Sequence, residues 1–440
     1  MINDVNSSNA RNYRPRLLDQ KLKDTLKYAP AVVIEGPRGC GKTTTGIQAA
    51  SSFLAVDEVE LADPSSGAMR GLLGQEPPLL VDEWQVAPGM WNAVRRECDR
   101  RGGKPGQFIL TGSSTLPDNS IRHSGAGRLA PLRLRTFSSY ESGISNGSVS
   151  LGSMLRGESV DAAADLVLTR IALAESICRG GWPVSTQMPL EQALHYVEAY
   201  VNAMCSIDIR RSADVAPYQS TDTARIVLRS IARNIGTNAS ISALARDTSA
   251  GESVSPLDRK TLPAFLDAFE RVFLREDCWP WGFRPASKQA MRSTPKRFVS
   301  DPSIATGILR VGPQRLVEEP EFMGGTFETL VMRDLRAYAD ANDAEVRFYA
   351  ESGFEVDAVI EDRNGAWIAV EIKLTCNHVA LNKAKRALKL LAKRTREAGK
   401  RPPSKLVAVF GVGAKDDHVG LRIAREEDDI AIVPLAALGP

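Results

Sequence analysis

The chain has 440 residues, of which 43% are apolar and 25% charged, a composition typical of folded water-soluble proteins and not of disordered chains. Lys plus Arg number 56 against 53 for Asp plus Glu, so nucleic-acid affinity would have to come from local patches of charge. The six cysteines lie far apart without a CxxC pair, which favours neither a disulfide framework nor a zinc site. No run approaches the roughly 20 apolar residues of a membrane span, so we expect a cytoplasmic protein without a membrane partner.

The first predicted elements indicate an α/β domain over residues 1–141. A buried strand at 29–36 leads into a glycine-rich loop and a helix at 43–50. Two further apolar runs, 78–81 and 107–110, flank a helix at 90–101. Continuous apolar runs without alternation are typical of parallel strands that are buried on both faces.

The middle of the chain is predicted to be helical. Residues 142–159 are rich in Gly and Ser and indicate a linker or mobile loop, which opens a linker and helical segment at 142–222. Helical patterns at 223–235, 241–245 and 260–273 suggest a winged-helix-like module over 223–285.

The last part, residues 286–440, is predicted to be an α+β domain. A helix at 325–341 precedes strand candidates at 355–360 and 367–372. Asn364-Gly365 lies between these two strands and is a strong hairpin signal, because both residues tolerate positive φ.

One motif predicts a nucleotide site. Gly36-Pro37-Arg38-Gly39-Cys40-Gly41-Lys42-Thr43 matches GxxxxGK[ST] between a strand and a helix. Its backbone N–H groups can surround a polyphosphate, Lys42 can reach the β- and γ-phosphates, and the Thr43 hydroxyl can bind Mg²⁺. We therefore expect ATP and Mg²⁺ as cofactors, with Thr44 and Ser113 completing the nucleotide-binding set. No motif that reads the base is visible, so the pattern leaves ATP against GTP open.

Carboxylates and hydroxyls follow the next two strands. Asp82 is predicted to bind the metal and Glu83 to act as the base that polarises the attacking water, although an acidic pair can also be a solvated strand end. Thr111 and Ser113 stand where sensor residues would touch the γ-phosphate or water, or form a simple turn. Arg128 could be an arginine finger offered to a neighbouring subunit, or a surface arginine.

Several of these motifs together resemble a known family. Tyr13-Arg14-Pro15-Arg16, the phosphate loop, Leu80-Val81-Asp82-Glu83, Leu110-Thr111-Gly112-Ser113, Gly127-Arg128 and Gly180-Gly181-Trp182-Pro183 resemble prokaryotic AAA+-like ATPases of the AAA_14/DUF4143 type. The resemblance implies a homo-oligomerising P-loop ATPase core, a winged-helix module and a restriction-nuclease-like C-terminal domain.

A second constellation lies on the predicted C-terminal hairpin. Asp357 and Glu371 fall on adjacent strands, and Lys373 follows Glu371 by two residues and so shares its face. Two carboxylates can hold Mg²⁺ while a lysine activates water, and Glu328 on the preceding helix could add a ligand. The pattern resembles the PD-(D/E)xK nuclease motif, although a ladder of charges on a solvated sheet face is the plain alternative.

A basic run follows this constellation. Its cations could bind backbone phosphates of DNA, which we expect as a partner ahead of RNA, or form a solvated helix face. The run comprises Lys383, Lys385, Arg386, Lys389, Lys393, Arg394, Arg396, Lys400, Arg401 and Lys405.

The hypothesis from sequence is an ATPase coupled to a nuclease-like domain that acts on or binds nucleic acid. The alternative is a nucleotide-dependent regulatory or scaffold protein whose C-terminal domain is catalytically inactive. A kinase for a small substrate is disfavoured, because nothing between Asp82 and Ser114 resembles a phosphoacceptor pocket or lid.

Overall fold

The computed structural model describes residues 13–56, 67–87, 89–113, 125–209, 221–248, 257, 261–282, 294–351, 353–414 and 420–440. The chain divides into two compact units, Met1–Thr136 with Ala268–Phe273, and Phe137–Asp267 with Leu274–Pro440. The finer division predicted at residues 142, 223 and 286 stays a prediction. None of the helices in the described ranges is long and apolar enough to cross a membrane.

The first unit contains a parallel five-stranded sheet in the order β2-β3-β4-β1-β5. Its strands are β1 Ala31–Glu35, β2 Ser52–Ala55, β3 Leu79–Asp82, β4 Phe108–Gly112 and β5 Leu129–Arg133. Its helices are α1 Leu18–Thr25, α2 Lys42–Ile47, α3 Gly67–Leu72 and α4 Gly89–Arg100, with a 3₁₀ turn at Trp84–Val86.

Successive side chains of the central strands enter two different cores, one on each face of the sheet. Val33 and Leu110 lie in one core, whereas Val32 and Ile109 lie in the other. The parallel α/β prediction is therefore confirmed. The edge strands β2 and β5 were not predicted, because edge strands are only half-buried and their sequences lack a continuous apolar run.

The second unit combines helices with a seven-stranded mixed sheet in the order β7-β12-β13-β11-β10-β9-β8. Its helices are α5 Ser139–Ser142, α6 Leu151–Leu155, α7 Arg170–Arg179, α8 Leu190–Ala203, α9 Thr221–Arg233, α10 Ile241–Asp247, α11 Thr261–Arg271, α12 Pro302–Leu309, α13 Pro313–Glu318, α14 Pro320–Ala341 and α15 His378–Glu397. The last residues of α11 belong to the first unit. Its strands are β6 Val149–Ser150, β7 Ala162–Ala163, β8 Ala344–Glu351, β9 Phe354–Asp362, β10 Trp367–Cys376, β11 Lys405–Gly413, β12 Ile423–Glu427, β13 Ile430–Pro434 and β14 Leu438–Gly439. The α+β prediction for the C-terminal part is confirmed.

The serine- and glycine-rich stretch from residue 142 differs from the linker that composition predicted. Strand β6 pairs in parallel with β14, and β7 pairs with β12 of the large sheet. One serine of the stretch caps a helix: the Ser150 hydroxyl accepts a hydrogen bond from the Ser153 backbone N–H at the start of α6. Serine is a preferred N-cap residue, and Ser150 has that role here, so a serine-rich composition is compatible with ordered structure.

Two local structures position the predicted C-terminal constellation of Asp357, Glu371 and Lys373. In the hairpin of β9 and β10, Val370 pairs with Ala358, and the Asp362 carboxylate accepts hydrogen bonds from the backbone N–H groups of Asn364 and Ala366 at 2.8 Å. After α9, α10 and α11, a short antiparallel contact pairs Cys278 with Lys296. The winged-helix assignment of these helices stays a prediction.

Candidate functional site

The phosphate loop joins the end of β1 to the start of α2. Gly41 has φ +100°, a backbone conformation that only glycine adopts readily. At Gly36 a Cβ would collide with the backbone carbonyl oxygen of Leu134. The glycines at these two positions therefore serve loop geometry, which explains the spacing of the motif.

Lys42 is buried, and its ammonium donates hydrogen bonds to the carbonyl oxygens of Gly36 and Pro37, each at 2.9 Å. The positive charge thus lies inside the curve of the loop, at the place where the sequence motif requires a cation for phosphate oxygens. Arg38 is exposed at the tip of the loop, and Thr44 is half-buried in α2.

The predicted metal ligands Thr43 and Asp82 lie in direct contact. The Thr43 hydroxyl donates to Asp82 Oδ1 at 2.9 Å, with Oδ2 at 3.1 Å, and the buried Thr111 hydroxyl also donates to Asp82 Oδ1. Strand β4 lies between β1 and β3, so the sheet order brings the three side chains together. A carboxylate beside two hydroxyl oxygens is a donor set that fits Mg²⁺.

Glu83, the predicted base, has φ 52° and lies directly beyond β3. Burial raises the pKa of its carboxyl, and the neighbouring charge of Asp82 raises it further. The Gln85 amide donates both to Glu83 Oε2 and, at 3.2 Å, to the hydroxyl of Ser113. Sequence reasoning missed Gln85, whose amide links the predicted base with the predicted sensor position.

Arg16 is a second residue whose role the sequence did not reveal. Its buried guanidinium donates to the carbonyl oxygen of Cys40 in the phosphate loop at 2.9 Å and to that of Arg135 beyond β5 at 2.7 Å. The arginine therefore fixes the loop to the neighbouring chain segment. It belongs to the Tyr-Arg-Pro-Arg motif, which was the available signal.

Arg128 lies at the start of β5, at the opposite end of the parallel strands from the phosphate loop. Ala31 at the start of β1 pairs with Leu129, whereas the loop follows the far end of β1, about 16 Å away at roughly 3.3 Å per residue. Its guanidinium donates to Asp99 Oδ1 at 2.8 Å, and its side chain is 45% exposed. A finger acting within its own chain is excluded by this position, and a finger offered to another subunit stays a prediction.

The C-terminal constellation comes together as the hairpin predicted. The Lys373 ammonium lies 3.0 Å from Asp357 Oδ2 and 2.6 Å from Glu371 Oε2. Asp357 Oδ2 also accepts the backbone N–H of Ile372 at 2.8 Å. Glu328 on α14 reaches the same cluster through Lys296, which sequence reasoning missed.

Lys296 and Glu355 enlarge this cluster. The Lys296 ammonium lies 2.6 Å from Glu355 Oε1, 2.8 Å from Glu328 Oε1 and 3.3 Å from Asp357 Oδ1. The two additions follow from distant chain segments meeting, since Lys296 comes from the contact with Cys278 and not from the hairpin. We call these six residues, the four carboxylates with Lys296 and Lys373, the acidic cluster.

Burial and neighbouring charges act in opposite directions on the carboxyls of the acidic cluster. Burial raises the pKa of Glu328 to about 7, and burial together with the charge of Asp357 raises the pKa of Glu371 to about 7. Burial also acts to raise the pKa of Asp357, but the ammonium groups of Lys296 and Lys373 outweigh it and lower that pKa below its ordinary value. Asp357 is therefore the firmly ionised member.

The basic run lies mostly on α15, and its last three cations, Lys400, Arg401 and Lys405, follow the end of the helix. The exposed cations Lys383, Arg386, Lys389, Lys393 and Arg396 recur at helical spacing along a single stripe, which we call the basic stripe. Three other cations of the run are held by carboxylates: Lys385 lies 2.5 Å from Glu427, Arg394 lies 3.3 Å from Glu351, and Lys405 lies 2.8 Å from Glu426. Within the basic stripe, Lys393 lies 3.7 Å from Glu397.

Models of three known domain families match successive parts of the chain. An AAA domain matches residues 28–142, a domain of unknown function, DUF8612, matches 170–315, and another, DUF4143, matches 323–418. The predicted resemblance to proteins with AAA_14 and DUF4143 domains is confirmed, whereas the nuclease character of the C-terminal domain stays a prediction.

Similar proteins are found among bacteria and archaea. The uncharacterized proteins Rv2008c of Mycobacterium tuberculosis and Mb2031c of Mycobacterium bovis are each 27% identical, over 76% of this chain and 72% of theirs. Among solved structures, the Walker-type ATPase PABY2304 of Pyrococcus abyssi superposes with a TM-score of 0.40 at 13% identity, covering 66% of this chain and 94% of that chain. The ORC2 protein of Aeropyrum pernix gives 0.30 at 12% identity, over 68% and 91%.

We expect Arg16→Ala to weaken nucleotide binding roughly tenfold, because a loss of about 1.4 kcal/mol in loop anchoring corresponds to a factor of ten. The measurement is the Kd of a fluorescent ATP analogue, with Arg14→Ala as the control at an exposed position of the same motif. Equal affinities for the two variants, both folded by circular dichroism, would show that Arg16 does not shape the loop.

Proposed function

We propose, from the AAA domain at residues 28–142 and the DUF4143 domain at 323–418, that the chain is an ATPase that hydrolyses ATP with Mg²⁺ and binds nucleic acid through its C-terminal domain. The observation that carries the first half is the contact of Thr43 with Asp82 beside a buried Lys42. ATP is preferred over GTP in this proposal because the domain is of the AAA type.

The geometry of the first unit supports the following roles. Backbone N–H groups of the phosphate loop and the Lys42 ammonium would hold the phosphates, and Thr43 with Asp82 would hold Mg²⁺, which supplies charge neutralisation when bound. Glu83 would accept the proton of the attacking water, an assignment that its raised pKa supports because a base works best with a pKa closer to neutrality. Gln85 and Ser113 would orient that base and the γ-phosphate.

Two substitutions should separate nucleotide binding from hydrolysis. Glu83→Gln should retain nucleotide affinity and lower kcat by about 100-fold or more, the usual contribution of a general base, whereas Lys42→Ala should lose both. In the wild type, kcat should fall on acidification through a pKa above the usual glutamate range, because protonation removes the base. Steady-state phosphate release and nucleotide titration measure these effects. ATP hydrolysis by Lys42→Ala at the wild-type rate would show that the phosphate loop is not the site of hydrolysis.

We further propose that the chain works as a homo-oligomer in which Arg128 reaches the nucleotide of a neighbouring subunit. Its side chain is exposed and lies at the end of the strands opposite its own phosphate loop. This position supports a role between chains, where an arginine can stabilise the transferred phosphoryl group.

A mixing experiment tests this role. Arg128→Ala and Lys42→Ala should each be inactive alone, because one lacks the finger and the other the phosphate-binding lysine. Mixed in equal amounts, they should recover about a quarter of the wild-type rate, since random assembly pairs an intact loop with an intact arginine at about one interface in four. No recovery, in mixtures where an affinity tag on one variant is shown to retain the other, would exclude the finger.

For the C-terminal domain, the basic stripe supports binding to the phosphate backbone of nucleic acid, with DNA ahead of RNA. A row of exposed cations on one helix side can neutralise successive phosphates without reading sequence. The second candidate is a regulatory or scaffold protein whose C-terminal domain is catalytically inactive. Lys296 favours it, because its ammonium lies 2.8 Å from Glu328, one of the carboxylates that were predicted to bind the metal.

Replacing three cations of the basic stripe, Lys383, Arg386 and Arg396, with Ala should weaken DNA binding and reduce the slope of log K against log salt by about 2 to 3. Fluorescence anisotropy with a labelled duplex at several salt concentrations provides the measurement. The matched control removes three exposed cations elsewhere, Lys27, Arg156 and Arg310, each with a carboxylate neighbour. Equal salt slopes in the two triple variants would place DNA binding elsewhere.

A further inference from the structure

Each ammonium of the acidic cluster has its hydrogen-bonding capacity filled. Lys296 meets three carboxylates, those of Glu355, Glu328 and Asp357, at 2.6 to 3.3 Å. Lys373 meets Glu371 and Asp357 at 2.6 and 3.0 Å, and the carbonyl oxygen of Ile372 at 3.1 Å. An ammonium has three N–H donors, so each lysine is matched by three oxygens.

Lys296 is a fixed part of the fold. Its side chain is only 3% exposed, and its backbone N–H and C=O both bond to Cys278 at 2.9 Å. The following residue, Arg297, exchanges backbone hydrogen bonds with Gly236 and Thr237. The ammonium is therefore delivered into the acidic cluster by the local backbone, unlike that of a surface lysine on a free side chain.

A divalent metal at this place would compete with that ammonium. Both oxygens of Asp357 already bind cations, Oδ1 Lys296 and Oδ2 Lys373, and Lys296 also binds the Glu328 carboxylate that the nuclease pattern would supply. Mg²⁺ requires oxygens at about 2.1 Å in octahedral arrangement. Throughout the described part of the chain, no three carboxylate, histidine or cysteine groups are arranged to hold a metal ion. The residues therefore do not fit the metal of the PD-(D/E)xK pattern.

We propose that Lys296 is the resident cation of the acidic cluster, standing where a nuclease of this pattern would hold its divalent metal. The C-terminal domain then keeps the carboxylate arrangement of the motif but binds nucleic acid without cutting it. The cluster serves to tie α14, the hairpin of β9 and β10 and the segment of Lys296 together, because each contributes a charge to it.

Metal titration of the full chain tests this proposal without nucleotide or DNA, so its outcome is independent of ATP hydrolysis and of DNA binding. Free Mn²⁺ is followed by electron paramagnetic resonance in a background with Asp82→Asn, which removes the carboxylate of the first site. This background alone should bind no Mn²⁺ at the acidic cluster. Adding Lys296→Met should create a Mn²⁺ site in the acidic cluster, with an affinity at least tenfold above any residual binding by the background. Adding Glu328→Gln to that variant should abolish this site again.

Further variants keep the test decisive if Lys296→Met is poorly folded. Lys296→Arg preserves the positive charge and should, like the unaltered cluster, bind no Mn²⁺. Stoichiometric Mn²⁺ binding by the cluster with Lys296 in place, lost on Glu371→Gln, would overturn the proposal. A folded Lys296→Met variant that binds Mn²⁺ no better than its parent would overturn it equally.

DNA cleavage gives a second readout. The wild type with Mg²⁺ or Mn²⁺, with and without ATP, should leave linear and supercoiled DNA intact. Cleavage that disappears in the double variant Glu371→Ala, Lys373→Ala would show that the cluster is a working metal nuclease and that Lys296 does not replace the metal.

Discussion

A charged side chain that leaves water must find partners within the protein, and this requirement organises both candidate sites. In the first unit, Asp82 is held by the hydroxyls of Thr43 and Thr111, which come from the segments after β1 and along β4. These side chains meet only because β4 lies between β1 and β3. The order of strands therefore determines where the carboxylate stands.

The second unit satisfies the same requirement with opposite consequences. Hydroxyl partners leave the negative charge of Asp82 available to a cation, whereas the ammonium groups around Asp357 neutralise its charge directly. Removing one partner of a buried ion pair typically costs about 3–5 kcal/mol, because the remaining charge is left uncompensated. Lys296 therefore contributes to the fold in a way that a loosely held surface lysine would not.

Sequence patterns predicted residues that belong to a recognisable motif, most directly where the motif is local in the chain. The phosphate loop lies within one continuous segment, and Asp357, Glu371 and Lys373 belong to a single hairpin, so spacing alone brings each group together. Arg16 and Lys296 escaped prediction because their partners are distant in sequence, at Arg135 and Asp357. The edge strands and the short strand pairings of the serine-rich stretch are likewise set by tertiary contacts that composition does not encode.

On the proposed function, the first unit hydrolyses ATP and the C-terminal domain binds nucleic acid. The two differ in how their buried charges are compensated. Helix α15 follows directly on β10, and its ion pairs with Glu427 and Glu351 fix two of its cations against the sheet. The basic stripe consists of cations that point elsewhere and stay exposed, so their attraction extends to phosphates in solution. In the acidic cluster the carboxylates are neutralised by two buried ammonium groups, whereas the cations of the basic stripe remain exposed to a polyanion, an arrangement that suits binding better than metal-dependent cutting.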